Sequence, residues 1–323
     1  MSGAPGRVTV LDLEPVNEDF LAEVFAGLSA SPRSLPCKFF YDERGAELFQ
    51  KICELPEYYI TRTETELLRR HGREMAESIG ANAELIGFGT GAGIKTRMLL
   101  EHLENPIAYV PVDISKQSLL DSAAELSRAM PALEILPVCG DYLQELQLPR
   151  PLRKPDHVAV YFPGSTIGNL EPDVALDFLR RVCQLCGKSG GLIIGVDLQK
   201  DRAVLEAAYN DSAGVTAEFN LNLLARANRE LGADFDLSLW RHRAIYNERD
   251  GRIEMHLISE TAQTVRVGGV DFHFLGGEKI VTEYSYKYTQ AGFVAAATSA
   301  GFQFARVWTD PQQLFAVFHF TIL

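Results

Sequence analysis

Four glycines at alternate positions break the apolar run LIGFGTGAGIKT (85–96), which then meets Lys95. Glycines so spaced let a backbone approach a ligand closely, and several ligands use that device. A phosphate loop needs a glycine directly before its lysine; Ile94 stands there, so that pattern fails. A dinucleotide fingerprint would use Gly87, Gly89 and Ala92, with Asp113, 24 residues after Gly89, on a ribose. Other polar residues fall where later apolar runs end. CGDY supplies Asp141 to accept from an exocyclic amine and Tyr142 to flank a ring. PGSTIGNL (163–170) supplies a turn at Gly164, with Ser165, Thr166 and Asn169 beyond it.

Glycines, an acid for ribose hydroxyls and a polar group for adenine also match S-adenosylmethionine, a nucleoside with a sulfonium and an amino-acid tail but no phosphate. The pattern favours this methyl donor over a dinucleotide; ordinary loop acids are the third reading. Asn169 offers one acceptor and two donors, which suits a substrate carrying both an ammonium and a carboxylate. Its alternative is an N-cap for the helix at 173, for which it lies slightly early. Tyr41, Tyr58 and Tyr59 precede the first apolar strand, either as packing or as a lid bringing phenols to a crevice, and Tyr209 falls on a helix among small residues. VTEYSYKY (281–288) alternates, so Glu283, Ser285 and Lys287 share one face. A Glu and a Ser two residues apart could bind a nitrogen heterocycle, or could line a solvated strand face.

The elements that must position these residues alternate along the chain. Buried strands are expected at 84–89, 108–115, 157–165 and 192–198, with a weaker one at 133–141, and helices at 95–104, 116–130 and 173–186. Near-continuous apolar strands separated by helices imply a parallel sheet covered on both faces, hence a doubly wound, Rossmann-like α/β fold. After Asp197 the alternation stops. One long helical region (201–233) and period-2 strands (252–274) follow, then a helix near 292–301 and two final strands. This places an inserted α+β unit at about 199–287, joined by the N-terminal 60 residues rather than by the sheet. The expected division is 62–198 plus 288–323 for the donor-binding domain and 8–61 plus 199–287 for the substrate-binding domain.

Bulk properties narrow the classes. A net charge of −12 and pI near 5.1 argue against nucleic-acid binding, which needs a basic stripe. No stretch reaches 18 uninterrupted apolar residues and no signal peptide is legible at the N-terminus, so a cytoplasmic, non-membrane protein is expected. Five cysteines suit a reducing compartment; Cys183 and Cys186 form a CxxC without a second half, so no metal site is expected. A monomer is expected.

Long runs of the chain resemble the histidine-specific S-adenosylmethionine-dependent methyltransferase family. They include LPCKFFYDERGAELFQKI, LPEYYITRTETELL, KTRMLL, VDIS, CGDY, PGSTIGNL, AYNDSAGVTAEFNLNLL, RIEMHL, VTEYSYK and WTDPQQLFAV. The resemblance implies a class I methyltransferase sheet with an inserted substrate domain. It implies S-adenosylmethionine as donor, S-adenosylhomocysteine as product, and an α-amine of histidine methylated three times to a betaine. Carried over position by position, it places the donor on Gly89, Lys95, Asp113, Asp141 and Tyr142, to which Gly164 is added from its strand-end position. It places the substrate's amine and carboxylate on Tyr58, Asn169 and Tyr209, the imidazole on Glu283 and Ser285, and Tyr41 and Met255 around the pocket. Tyr58 and Asn169 are the catalytic candidates. The chain departs from the family at Gly87, where relatives often carry an acid, and at Ala92–Gly93, where they carry small polar residues. Rival expectations are a relative acting on tryptophan or tyrosine, and a donor-binding regulatory protein without catalysis.

Overall fold

The computed structural model describes residues 10–13, 20–89 and 93–322; Ala92 lies outside them. The chain begins with short strands β1 (Leu11–Asp12) and β2 (Arg33–Ser34) on either side of helix α1 (Phe20–Ser29), then helices α2 (Glu43–Glu54) and α3 (Tyr59–Ile79). The alternating part follows: β3 (Ala83–Phe88), α4 (Ile94–Leu100), β4 (Ala108–Asp113), α5 (Lys116–Ala129), β5 (Glu134–Ile135) and β6 (Val138–Cys139). It is completed by β7 (His157–Phe162), α6 (Pro172–Cys186) and β8 (Gly191–Asp197).

Among the described residues these strands form a sheet in the order β1-β6-β4-β3-β7-β8, with β5 beside β4. The chain winds outward from β3 in one direction and then from β7 in the other. The strand order therefore reverses between β3 and β7, which opens a crevice at their carboxyl ends. Burial on both faces explains the apolar runs: Leu85, Tyr161 and Ile193 pack with α3 and α4, while Ile86, Phe162 and Ile194 pack with α6. The weak fifth strand is two short pieces interrupted at Pro137, which has no N–H for a ladder. Leu11–Asp12 pairs with β6, so this stretch joins the open sheet edge, correcting the expectation that the N-terminal 60 residues avoid the sheet.

After β8 come α7 (Arg202–Tyr209) and α8 (Val215–Leu231), not one continuous helix. The break is built into NDSAG: Asp211 accepts from the N–H groups of Val215 and Thr216, capping α8, and Gly214 takes a left-handed φ of 75°. Strands β9 (Trp240–Asn247), β10 (Arg252–Ser259), β11 (Gln263–Val267), β12 (Val270–Phe274) and β13 (Lys279–Tyr286) follow. A second sheet has the order β2-β13-β10-β9, backed by α8, with β11 and β12 as a separate hairpin. The chain then returns through α9 (Gln290–Ser299), β14 (Gln303–Thr309) and β15 (Phe315–Thr321), and β15 enters the first sheet antiparallel to β8. The two ends of the 199–287 segment lie side by side: Gln199 N–H donates to the Tyr288 carbonyl, and Tyr288 N–H to that of Asp197. No helix among the described residues is long and apolar enough to cross a membrane.

One contact sets the second sheet against the crevice. A Cβ on Gly168 would lie 2.7 Å from the Tyr286 carbonyl oxygen, so the turn after β7 rests on the backbone of β13. Gly168→Ala is expected to lower stability by about 1–3 kcal/mol through overpacking. Differential scanning calorimetry should show a melting temperature depressed by roughly 2–4 °C per kcal/mol; an unchanged melting point would mean that turn and strand do not touch.

Candidate functional site

The sheet's carboxyl ends bring the first group together. Gly89 ends β3 with φ of 57°, and a Cβ there would sit 3.7 Å from the Tyr142 ring and 3.9 Å from that of Phe162. Those are ordinary contact distances, so it is the left-handed backbone that favours glycine at this point. Asp113 ends β4 and accepts from Ser115 N–H at 2.9 Å; Asp141 follows β6 and accepts from Leu143 N–H at 2.8 Å. Tyr142 packs on Phe88, Phe162 and Phe178. Its phenol is held well above the usual tyrosine range by burial and by charge from Cys37, Asp113 and Asp141, so these residues surround one space.

Gly164 (φ 80°) follows β7, and a Cβ on it would lie 3.5 Å from Lys95 Nζ. Both are tied to α3: Glu64, fully buried, accepts from Lys95 Nζ at 2.5 Å and from Gly164 N–H at 2.8 Å. Gly87 is buried within β3 between Pro111 and Tyr161, and Gly93, with φ of 73°, precedes α4.

The second sheet and the N-terminal helices supply the other group. Glu283 on β13 is the cross-strand partner of Met255 on β10, beside a bulge at Met255/His256. Burial pushes its carboxyl up to about 7, against the pull of Lys287, and it accepts no hydrogen bond from any described residue. Tyr41 lies edge-on to Phe49 and Phe219, and Tyr58 edge-on to Tyr209 at 6.2 Å. Burial raises the Tyr58 phenol well above its usual range, with Tyr209, Cys53, Tyr41 and Glu283 adding to the shift. Tyr41 lies within electrostatic reach of both Glu283 and Tyr142, so the two groups lie near one another. Asn169 ends a 3-10 turn, Thr166–Asn169, and is not the cap of α6, a position taken by Glu171.

Tyr209 and Ser285 belong to a buried polar cluster. Their hydroxyls are 3.0 Å apart, and each accepts from Lys287 Nζ at 2.8 Å. Lys287 and Asp197 are both fully buried and pair at 2.8 Å. Asp197 also accepts from Tyr59 OH at 2.9 Å and from Lys200 at 2.5 Å, and its N–H donates to Ser165 Oγ at 2.9 Å. Tyr59 therefore serves this cluster, whereas Tyr41 and Tyr58 lie within electrostatic reach of Glu283.

A family model described as a histidine-specific, S-adenosylmethionine-dependent methyltransferase matches residues 20–322. The chain belongs to this family. The histidine N-alpha-methyltransferase of Mycolicibacterium smegmatis is 42% identical over 295 residues, spanning 90% of each chain. Ergothioneine biosynthesis protein 1 of Neurospora crassa is 32% identical over 286 residues, 86% of this chain and 32% of that longer protein. The L-tryptophan methyltransferase of Psilocybe serbica is 28% identical over 346 residues, covering 94% of this chain and 95% of that one.

The methyltransferase uses S-adenosylmethionine as its donor, and its sheet is the class I arrangement expected from the sequence. Of the residues singled out in the sequence, Gly89, Asp113, Asp141, Tyr142 and Gly164 stand at the carboxyl ends of the first sheet, and Tyr58, Tyr209, Glu283, Ser285 and Met255 stand on the second sheet and the helices against it. The polar residues that sequence reasoning passed over are Asp197, Lys200 and Glu64. Glu64 and Asp197 are charged residues in a helical and an apolar run with partners remote in the chain, and Lys200, three residues after Asp197, reaches the distant Tyr59 hydroxyl.

Proposed function

We propose that this methyltransferase transfers methyl groups to the α-amino nitrogen of L-histidine, three times in succession, giving hercynine for ergothioneine biosynthesis. The observation that supports this best is the unpaired Glu283 carboxyl, raised to about 7, near Tyr41 and Tyr58, of which Tyr41 also lies near Tyr142 on the donor side. The carboxyl is partly exposed and has no hydrogen-bond partner among the described residues, so it is free to accept from a ligand N–H, which an imidazole supplies. We assign the donor-binding unit to residues 62–198 plus 288–323, with Leu11–Asp12 on its sheet edge, and the substrate-binding unit to the rest of 8–61 plus 199–287. The protein is read as a cytoplasmic monomer.

The donor-side residues fit S-adenosylmethionine. Gly89 leaves room beside the Tyr142 ring, Asp113 suits the ribose hydroxyls, and Asp141 suits the adenine amine. Lys95, 3.5 Å from the position of a Cβ on Gly164, suits the carboxylate of the amino-acid tail. When bound, the donor supplies a methyl group on a sulfonium, open to in-line attack.

The rest is the work of the substrate side. An α-amine titrates at about 7.7–8.0 and must present a lone pair, so its neutral form has to be selected. Tyr58 and Asn169 would hold the nitrogen through neutral groups. Burial keeps the Tyr58 phenol protonated, and neither group stabilises an ammonium as a carboxylate beside it would. Tyr209 would take the substrate carboxylate, and Glu283 and Ser285 the imidazole, with Met255 and Tyr41 closing the pocket. Fixing both ends of the substrate aligns the nitrogen, the main demand of a displacement at methyl.

Mass spectrometry after incubating the protein with S-adenosylmethionine and a panel of amino acids tests the assignment. Histidine is expected to gain one, two and then three methyl groups. Methylated tryptophan or tyrosine with unchanged histidine would transfer the reading to another aromatic amino acid. Donor binding without methylation of any amino acid would make the protein a regulatory binder.

A further inference from the structure

The family resemblance accounts for Tyr209 and Ser285 but not for the ion pair that holds them. Lys287 Nζ has three acceptors, each at 2.8 Å: Asp197 Oδ2, the Tyr209 hydroxyl and the Ser285 hydroxyl. An ammonium has three protons and no lone pair, so all three are used and both hydroxyls must accept from it. The two hydroxyls are themselves 3.0 Å apart, and only one of them can donate to the other. The remaining hydroxyl proton has no acceptor among the described residues and is free for a ligand.

From this we infer that Lys287, anchored by Asp197, is a positioning residue: with Ser285 donating to Tyr209, it leaves the Tyr209 hydroxyl a one-way donor for the substrate's carboxylate. The inference rests on the proposed reading of Tyr209 as a substrate contact. Without the ammonium below them, the hydroxyls could equally accept from a cation, and the site would lose its preference for an anion at that end.

Charge arrangement supports the same polarity. Burial alone would discharge Lys287, but Asp197 and Tyr209 hold it above the usual lysine range. Lys200, which burial lowers to about 8, adds a second cation to the single carboxylate of Asp197. The cluster thus carries excess positive charge on the Tyr209 side, and Glu283 supplies the opposite sign within reach of Lys287. A ligand with a carboxylate at one end and an N–H donor at the other matches that axis.

The test compares L-histidine with histamine, which keeps the imidazole and the amine but lacks the carboxylate. Binding is measured by calorimetry on protein saturated with S-adenosylhomocysteine. The wild-type protein is expected to prefer histidine by about tenfold to a hundredfold, the size of a charge-assisted hydrogen bond. Lys287→Met is expected to shrink this preference about tenfold or more while leaving S-adenosylhomocysteine affinity unchanged. A structural defect would lower affinity for both ligands and spare the ratio. Should the single variant strand Asp197 and fail to fold, the Asp197→Asn/Lys287→Met double variant removes both charges and is read the same way. Equal wild-type affinity for the two ligands, or a folded variant with the wild-type ratio, overturns the inference. Should the wild-type protein bind neither ligand but another amino acid, the substrate assignment fails instead, and the ratio is measured on that amino acid and its decarboxylated amine.

Discussion

Asp113→Ala is expected to weaken S-adenosylhomocysteine binding by roughly tenfold to a hundredfold while sparing histidine. The estimate is that of one hydrogen-bonding interaction with a charged group, about 1.5–3 kcal/mol. Asp113 stands at the carboxyl end of β4, next to the strand reversal that opens the crevice, and burial among Asp113, Asp141 and Cys37 is what raises the Tyr142 phenol. Its Oδ1 anchors the following turn by accepting from Ser115 N–H at 2.9 Å. Asp113→Asn keeps an oxygen for that anchor and loses the charge, so an intermediate loss of affinity separates ribose recognition from a collapsed turn. Calorimetry with S-adenosylhomocysteine reads the effect directly. A variant that kept donor affinity and lost histidine affinity would reverse the proposed division of the cleft.

What the sequence made legible follows from how far apart interacting residues lie. Strands β3, β4, β7 and β8 were readable because burial on both faces demands a local apolar run, and their ends located Gly89, Asp113 and Gly164 without knowledge of partners. Alternation along β13 put Glu283, Ser285 and Lys287 on one face, and that face meets Tyr209. Whether it was solvated could not be read locally, because its cover comes from α7, far upstream. The same distance hid the Asp197–Lys287 pair: an aspartate at the end of an apolar strand gives no sign that two lysines and a tyrosine converge on it. Tyr58 and Tyr59 are adjacent but start a helix, where successive side chains diverge by about a third of a turn, so one meets the Tyr209 ring and the other Asp197. The split of 201–233 turned on Asp211 acting as a cap, which a helical pattern conceals.

Glu283 should show opposite effects on stability and on binding. In the ligand-free protein burial lifts its carboxyl to about 7, far above the ordinary value near 4.3. A carboxyl raised on folding favours the folded state only while protonated. Its contribution is present in full below the ordinary pKa and is lost as pH rises through about 7. Glu283→Gln should therefore match the wild-type protein near pH 4 and exceed it in stability above pH 7, by at most about 3 kcal/mol. Thermal denaturation across pH should show the two melting curves separating on the alkaline side, by roughly 2–4 °C per kcal/mol. Histidine binding should run the other way. The ionised carboxylate is the stronger acceptor for an imidazole N–H, so removing it with Glu283→Ala should cost up to about a hundredfold in affinity. The deficit should be largest above pH 7 and shrink below it, because the wild-type carboxyl is then protonated too. Measuring the variant beside the wild-type protein at each pH cancels the titration of histidine itself, leaving only that of Glu283. Equal histidine affinity for the two proteins at every pH would place the imidazole elsewhere, and the unpaired carboxyl would then need another ligand.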